Sequence, residues 1–229
     1  MYELSKNDLI KAVEERHSVR KYLPRPIEEG KLSILGSEIA RINLEKEELN
    51  IQLVTEEPRC FSAGLLKYGA FRGVRNYIVM AGRGEAEELV GYEGEWLVLV
   101  AQSLGLNTCW VGLTYKKIAG TFQLRDKDKV HCVIALGYGE EAGKQHPQKA
   151  PESFYECDGP LPGNFKEGLR LSLLAPTAVN QQKFHFTFSG PSRVHIEPLF
   201  SMAGYTMMDL GIVKRHFEIG AGKESFEWV

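Results

Sequence analysis

The feature that most constrains the fold is a segment that is apolar on nearly every side, "EGEWLVLVAQSLGL" at residues 93–106. A helix with this pattern is typical of a buried position, because it has no polar face to present to water. Gly105 follows its last turn and marks the C-terminal cap. With 229 residues, 43% of them hydrophobic, the chain is long enough to build a core around such a helix.

Strands and helices surround this segment without a regular βαβ alternation. Alternating or apolar patterns predict strands at "LNIQLVTEE", "VRNYIVMAGRG", "NTCWVGL" and "KVHCVIALGYG". Helices are predicted at "SKNDLIKAVEER", where Ser5 and Asp8 have capping-box spacing, and at "EEGKLSILGSEIARI". A helix, a strand, a loop, a helix and the short strand "SFEWV" complete the chain. The pattern indicates an α+β fold rather than a doubly wound parallel sheet.

Composition and charge exclude several classes of function. The net charge of −2 and the pI near 6.3, with no basic cluster, give no reason to expect nucleic-acid binding. No apolar run approaches the roughly 20 residues of a membrane-spanning helix, so no membrane partner is expected. The charged, amphipathic N-terminus is not a secretory signal, which makes a cytoplasmic location the expectation.

The cysteines and histidines do not form a metal-binding pattern. The four cysteines are widely scattered and are interpreted mostly as buried thiols, at Cys60, Cys109, Cys132 and Cys157. Of the six histidines, only His17 lies in a motif, and the others lack metal-ligand spacing. The sequence therefore predicts no metal site.

Three short echoes indicate an internal duplication. In the same order in both halves, they pair "EGKLSIL" (29–35) with "EGLRLSLL" (167–174), "VGYEGEWLVLV" (90–100) with "AGYTMMDLGIV" (203–213), and "CWV" (109–111) with "EWV" (227–229). Two copies of one unit in a single chain correspond to a dimer whose two subunits are fused.

The duplication sets the expected domain boundaries. Residues 1–140 form the first half, residues 141–164 form a Pro- and Gly-rich connector, and residues 165–229 form a second, shorter half. Sites at the seam between the halves would be unique rather than doubled.

The stretch "ERHSVRKY" follows the first helix and carries Arg16, His17, Ser18 and Arg20. In an extended segment, residues at alternate positions point the same way. Two guanidinium groups and a hydroxyl on one side suit a phosphate, because arginine binds its oxygens bidentately. The alternative is a solvated charged loop that closes the helix.

The stretch "APTAVNQQ" ends a later apolar helix. Pro176 stops the helix, Thr177 can turn the chain, and Asn180 and Gln182 offer both donors and acceptors. The alternative is a turn whose side chains satisfy their own backbone.

Taken together, these stretches resemble the flavin-dependent nitroreductase family. That family has a short helix followed by Arg-x-Ser-x-Arg, matched by "RHSVR", and a helix ending in Pro-Ser-x-x-Asn-x-Gln, matched by "PTAVNQQ" with Thr177 for the serine. It also has an apolar helix running into Gly-Leu-Gly-Thr-x-Trp, matched by "SLGLNTCWVG", and a strand ending in Gly-Tyr, matched by "VIALGYG". The matches cover most of residues 10–140 and 165–220.

One departure from the family order is informative. The proline-asparagine turn usually follows Arg-x-Ser-x-Arg within a few dozen residues, but here it comes in the second copy. Family members are usually homodimers with FMN at the interface, each subunit giving one motif. The chain is similar to a subgroup of single-chain, pseudo-dimeric relatives, which implies a monomer with one site kept whole.

The resemblance implies a role for each matched residue. Arg16 and Ser18, with His17 between them, would hold the FMN phosphate and ribityl tail, and Arg20 would lie near N1 and C2 of the ring. Val111 and Gly112 would present backbone groups near flavin N5, and Lys144 would add a phosphate contact. The wall and polar edge of the ring would be formed by Pro176, Thr177, Ala178, Asn180 and Gln182.

The implied activity is transfer of hydride from NADH or NADPH, through FMN, to a small electron-poor acceptor such as a nitroaromatic or a quinone. The flavin does the chemistry at N5, so no catalytic acid or base is required, and Arg20 tunes it by favouring anionic reduced flavin. Two alternatives stay open: a flavin-binding protein of this fold with another task, and a degenerate member that has lost FMN and acts as a binding protein.

Overall fold

The computed structural model describes residues 2–61 and 71–229 and divides the chain into two compact units. Unit 1 comprises Met1–Leu4, Glu15–Ala86 and Trp96–Lys144, and unit 2 comprises Ser5–Glu14, Glu87–Glu95 and Gln145–Val229. Each unit contains a four-stranded sheet and helices.

The sheet of unit 1 is antiparallel throughout. It contains β1 (Gln52–Val54), β2 (Asn76–Arg83), β3 (Asn107–Val111) and β4 (Asp128–Gly137) in the order β1-β2-β4-β3. The central strands β2 and β4 are buried along almost their whole length, which explains their continuous apolar sequences.

Helix α2 (Glu29–Glu45) and the later part of α3 (Glu87–Ser103) belong to the core of unit 1. Leu35 of α2, Val100 of α3 and Leu136 of β4 lie in one buried cluster. Gly105 ends α3 with φ of +74°, and the N–H groups of Gly105 and Leu106 donate to carbonyls of the last turn. This Schellman motif confirms the predicted cap.

Unit 2 has a mixed sheet, with β6 and β7 antiparallel and both outer pairs parallel. Its strands, in the order of the sheet, are β5 (Tyr155–Cys157), β6 (Phe184–Ser189), β7 (Arg193–Pro198) and β8 (Glu227–Trp228). Its helices are α1 (Lys6–Glu15), whose last residue belongs to unit 1, the first part of α3, α4 (Gly163–Ser172) and α5 (Thr206–Ala221). Ser5 and Asp8 form the predicted capping box, with the Asp8 N–H donating to Ser5 Oγ at 3.2 Å and the Ser5 N–H donating to Asp8 Oδ2 at 3.1 Å.

Aromatic side chains form the core of unit 2. Phe186 and Phe188 lie on the buried face of β6, since burial alternates along that strand. The ring centroid of Phe217 in α5 lies 5.0 Å from that of Phe186 and 5.8 Å from that of Phe188. The ring centroid of Phe165 in α4 lies 5.3 Å from that of Phe188. These rings join the two helices to the sheet.

Helix α5 crosses the first part of α3 at a distance that only glycine permits. A Cβ on Gly211 would lie 1.9 Å from the carbonyl oxygen of Glu88, and a Cβ on Gly91 would lie 2.0 Å from that of Met208. Both distances are far below any van der Waals contact. The backbones of the two helices therefore touch.

A fully buried contact between a histidine and a glutamate lies along the same two helices. His216 of α5 has its Nε2 2.8 Å from Glu95 Oε1 of α3, and both side chains are completely shielded from water. His216 Nδ1 lies 3.0 Å from the carbonyl oxygen of Leu171, which only accepts hydrogen bonds, so Nδ1 carries a proton. Both ring nitrogens of this buried imidazole are thereby satisfied.

The α+β fold class is confirmed, and the structure adds two strands to the predicted elements. Strand β5 lies within the predicted connector at residues 141–164, and β7 lies where a loop was expected. Strand β5 is only three residues long and is defined by its parallel pairing with β6, so its own sequence shows no usable alternation. Among residues 2–61 and 71–229, no helix is both long and apolar enough to cross a bilayer.

We expect Gly211→Ala to destabilise the folded chain by at least about 2 kcal/mol, because the new methyl group forces two backbones apart. Gly36→Ala in α2 is the matched control: a Cβ there meets nothing within 4 Å, so alanine should stabilise the helix by about 0.5–1 kcal/mol. Urea unfolding followed by circular dichroism measures both effects. A Gly211→Ala variant as stable as the wild type would contradict the close crossing.

Candidate functional site

The Arg-x-Ser-x-Arg segment of unit 1 is extended, as predicted. The N–H of Val19 donates to the carbonyl oxygen of Thr108 in β3 at 3.0 Å, and the N–H of Tyr22 donates to that of Arg72 at 2.9 Å. Val19 and Tyr22 are both buried and anchor the segment in the core. Backbone hydrogen bonds therefore hold the chain extended on both sides of Arg20.

Ser18 pairs with Thr108 of β3, and the three predicted phosphate-binding and ring-contacting side chains of this segment all influence the thiol of the next residue, Cys109. Burial raises the pKa of Cys109, whereas the positive charge of Arg20, a hydrogen bond with the Ser18 side chain and the charge of Arg16 each lower it. Arg16 is only 5% exposed, and Arg20 is exposed. Two guanidinium groups and a hydroxyl therefore act on the same small region of unit 1.

A glycine-containing loop packs onto this segment. Gly143 has φ of +79°, and a Cβ there would lie 2.7 Å from Cβ of His17. Lys144 follows directly and is exposed. The predicted lysine therefore lies next to a residue that contacts the Arg-x-Ser-x-Arg segment.

Val111 and Gly112 lie at the end of β3 in the same unit. Val111 is buried and shares a strand face with Cys109, two residues earlier, while the following Gly112 is half-buried. Unit 1 thus holds seven of the predicted site residues, namely Arg16, His17, Ser18, Arg20, Val111, Gly112 and Lys144.

The Pro-Thr-Ala-Val-Asn-Gln-Gln turn lies in unit 2, between α4 and β6. Three of its residues have left-handed backbone conformations: Val179 with φ of +48°, Asn180 with +55° and Gln182 with +48°. Asparagine tolerates this region, but a β-branched valine adopts it only under strain. Val179 is 77% exposed, so packing of its side chain does not explain the conformation.

The polar side chains of the turn are only partly satisfied by the turn itself. Thr177 Oγ1 accepts the N–H of Gln182 at 3.1 Å, and Asn180 Nδ2 donates to the carbonyl oxygen of Pro147 at 3.1 Å. Within the described part of the chain, the buried atoms Asn180 Oδ1 and Gln182 Nε2 have no hydrogen-bond partner. A ligand with a donor and an acceptor would complete them.

Asp209 of α5 is a residue of this site that sequence reasoning missed. Its Oδ1 accepts the N–H of Ala178 at 2.9 Å, and its Oδ2 accepts from Gln181 Nε2 at 2.6 Å. The side chain is 4% exposed, and burial raises the pKa of its carboxyl to about 6. The sequence signal for this residue is that Asp209 is an isolated acidic residue within the apolar run "TMMDLGIV".

Other candidate features do not add to these two groups. A surface cleft of unit 1, lined in part by Pro24, Phe61 and Arg72, contains none of the predicted residues. In the described ranges, no three histidine, cysteine or acidic residues are grouped so as to hold a metal ion. Cys60, Cys109 and Cys132 are buried and Cys157 is half-buried, and no disulfide joins these four residues.

Solved structures with the same fold include a "putative nitroreductase" from Thermotoga maritima, 20% identical, with a TM-score of 0.67 over 98% of this chain and 88% of that one. A "putative nitroreductase" from Desulfovibrio desulfuricans, in complex with FMN, is 22% identical, with a TM-score of 0.52 over 67% of this chain and 98% of that one. A "putative NADH dehydrogenase/NAD(P)H nitroreductase" from Parabacteroides distasonis is 23% identical, with a TM-score of 0.52 over 67% of this chain and 99% of that one. At these identities the likeness shows the fold.

No functionally curated protein matches this chain. The family model described as "Putative TM nitroreductase" matches residues 8–221, which is most of the sequence. That range contains both motif groups, the Arg-x-Ser-x-Arg segment and the turn after α4. The chain therefore belongs to this nitroreductase family.

Proposed function

We propose that this oxidoreductase of the nitroreductase family binds one FMN per chain and uses NADH or NADPH to reduce a small electron-poor acceptor such as a nitroaromatic or a quinone. The observation that carries the proposal is that Arg16, Ser18 and Arg20, at alternate positions of a segment that pairs with β3, all influence the thiol of Cys109 in that strand. Arg16 and Ser18 suit a phosphate, since the guanidinium group and the hydroxyl both donate to its oxygens, and the positive charge of Arg20 suits the edge of the ring that becomes anionic on reduction.

Within unit 1, Arg16 and Ser18 would bind the phosphate and ribityl tail, with His17 between them and Lys144 as a further cation. Arg16 is buried, so its charge acts in a region of low dielectric constant, where a phosphate contact is strong. Arg20 would lie at the N1–C2 edge, and backbone groups of Val111 and Gly112 would lie near N5.

Within unit 2, Pro176, Thr177 and Ala178 would form a wall for the ring. The unsatisfied buried atoms Asn180 Oδ1 and Gln182 Nε2 fit a flavin, whose pyrimidine edge offers both donors and acceptors. When bound, FMN would supply the redox chemistry, and the protein would supply orientation and charge.

We further propose that the chain is a fused pseudo-dimer with halves at 1–140 and 165–229, and that it is a monomer. The helix crossing in unit 2 is reciprocal, as in a two-fold contact: Gly91 lies against Met208 and Ile212, and Gly211 lies against Glu88 and Tyr92. Each residue of α3 in this set has its counterpart 120 positions later. In the sequence echo of these helices, residues 90–100 and 203–213 are instead 113 positions apart. The contact therefore favours an alignment of the two halves that is shifted relative to this echo.

We expect the purified chain to take up FMN more tightly than riboflavin, because only FMN carries the phosphate. Arg16→Met should remove that preference, weakening FMN about tenfold or more while leaving riboflavin affinity nearly unchanged. Fluorescence titrations with both flavins measure this. The control is Arg75→Met, an exposed arginine paired with Glu56 in the same unit, which should keep the preference. Equal affinity of the wild type for the two flavins would contradict the phosphate assignment.

We expect Arg20→Ala to slow reduction of bound FMN by NADH or NADPH about tenfold while weakening FMN binding less, because a positive charge at N1 favours the reduced anion. Stopped-flow absorbance gives the rate per bound flavin. Lys21→Ala is the matched control, since it removes the adjacent exposed positive charge. If binding collapses in Arg20→Ala while the rate per bound flavin holds, the role of Arg20 is wrong.

The same measurements separate the two alternatives. A flavin-binding protein with another task would take up FMN without being reduced by NADH or NADPH. A degenerate member that has lost the cofactor would remain colourless after FMN is added.

A further inference from the structure

We propose that Asp209 is a positioning residue whose ionised carboxylate holds the turn at residues 177–182 in the conformation that binds FMN. The inference rests on the proposed function, because it assigns the turn to the flavin. It concerns a residue outside the four motifs that resemble the nitroreductase family, on a helix that follows the turn in the chain.

The geometry of Asp209 is that of a two-point anchor. One carboxylate oxygen accepts the backbone N–H of Ala178 at 2.9 Å, and the other accepts the side-chain amide of Gln181 at 2.6 Å. These two residues flank Val179 and Asn180, the positions with left-handed backbone. One side chain therefore fixes both sides of the strained part of the turn.

The turn needs such an anchor. Strained backbone conformations persist only where the surroundings over-determine them. Val179 has φ of +48° and ψ of +26° without a buried side chain to enforce them, and Asn180 and Gln182 share the left-handed conformation. Loss of the anchor would let Val179 relax and move the polar groups of its neighbours.

Gln181 is held so that its amide N–H groups face Asp209. Ser201 Oγ donates to Gln181 Oε1, while Gln181 Nε2 donates to the carbonyl oxygen of Gly204 at 3.0 Å as well as to Asp209. Reversing the amide would lose the bond to the Gly204 carbonyl. The arrangement therefore selects a carboxylate, which accepts at both oxygens, over a carboxylic acid.

Helix α5 is a rigid support for the anchor. Asp209 lies in its first turn, where the helix dipole favours a negative charge. Two residues on, Gly211 touches the backbone of α3, and further along the helix His216 pairs with Glu95. The carboxylate is therefore held by an element that cannot easily shift.

The ionisation of Asp209 gives this role a distinct pH signature. Burial raises the pKa of its carboxyl from 3.8 to about 6, so the folded chain binds this proton more tightly than the unfolded chain does. From about pH 4 to 6, this group therefore makes folding less favourable as pH rises. At neutral pH the ionised carboxylate therefore makes folding less favourable than the protonated acid would.

Other charged groups near the turn must be distinguished from Asp209. Lys149 donates to the carbonyl oxygen of Gln181 at 3.3 Å, and His146 precedes Pro147, which accepts from Asn180. On the helices, the ion pairs Lys214–Glu88 and Arg215–Glu93 join α5 to α3.

The test is the FMN dissociation constant of the wild type and of Asp209→Asn between pH 5 and 8, measured by fluorescence titration. We expect the variant to bind FMN about tenfold or more weakly at pH 8. An asparagine has a single acceptor oxygen, so its own N–H group would face one of the two donors, the Ala178 N–H or the Gln181 amide. The ratio of the two constants should approach one at pH 5, where Asp209 is protonated. The second ionisation of the FMN phosphate affects both proteins and cancels in this ratio.

A second variant tests the same contact in the opposite direction. Gln181→Glu places a carboxylate against Asp209, so we expect its FMN affinity relative to the wild type to fall as pH rises and to recover at pH 5. His146→Asn and Lys149→Met are the controls and should leave the pH-dependent ratio of Asp209→Asn to wild type intact.

Two results would overturn the role of Asp209 alone: wild-type FMN affinity in Asp209→Asn at every pH, or a constant ratio from pH 5 to 8. If the wild type takes up no FMN at all, the proposed function fails and this inference fails with it. The binding data of the wild type therefore separate the two failures.

Discussion

The contact on which unit 2 depends is the crossing of α3 and α5 at Gly91 and Gly211. No side chain separates the two backbones there, because even a methyl group would overlap a carbonyl oxygen. Helix α5 meets α4 in a similar way, since a Cβ on Gly220 would lie 2.6 Å from the carbonyl oxygen of Glu167. Three helices are thus locked at backbone distance, and the buried His216–Glu95 pair fixes their register.

This locking explains how a polar turn can be strained and still well defined. The turn after α4 adopts left-handed conformations at non-glycine residues, and its two anchoring bonds come from Asp209 on α5. A flexible support would let the strain dissipate. The unsatisfied amide atoms of Asn180 and Gln182 are therefore displayed by a rigid frame, as preorganised binding requires.

Local patterns predicted much of the fold, whereas the ligand contacts assigned to the site residues remain predictions. The burial of α3, its glycine cap, the Ser5–Asp8 capping box and the extended Arg-x-Ser-x-Arg segment all follow from residues close together in the chain. Strand β5 was missed because its pairing with β6 defines it more than alternation does. Strand β7 was missed although its buried Val194 and Ile196 alternate with exposed polar residues, which is a strand signal. Asp209 and Cys109 were missed because their partners lie far away in sequence, at Gln181 and at Ser18.

We propose that the chain is a fused pseudo-dimer that keeps one flavin site, with one Arg-x-Ser-x-Arg segment and one proline-asparagine turn. The most direct test is the stoichiometry of FMN binding, from fluorescence titration at chain concentrations well above the dissociation constant, with the chain mass checked by light scattering. One FMN per monomeric chain is the predicted result. Two FMN per chain, or none, would contradict the account.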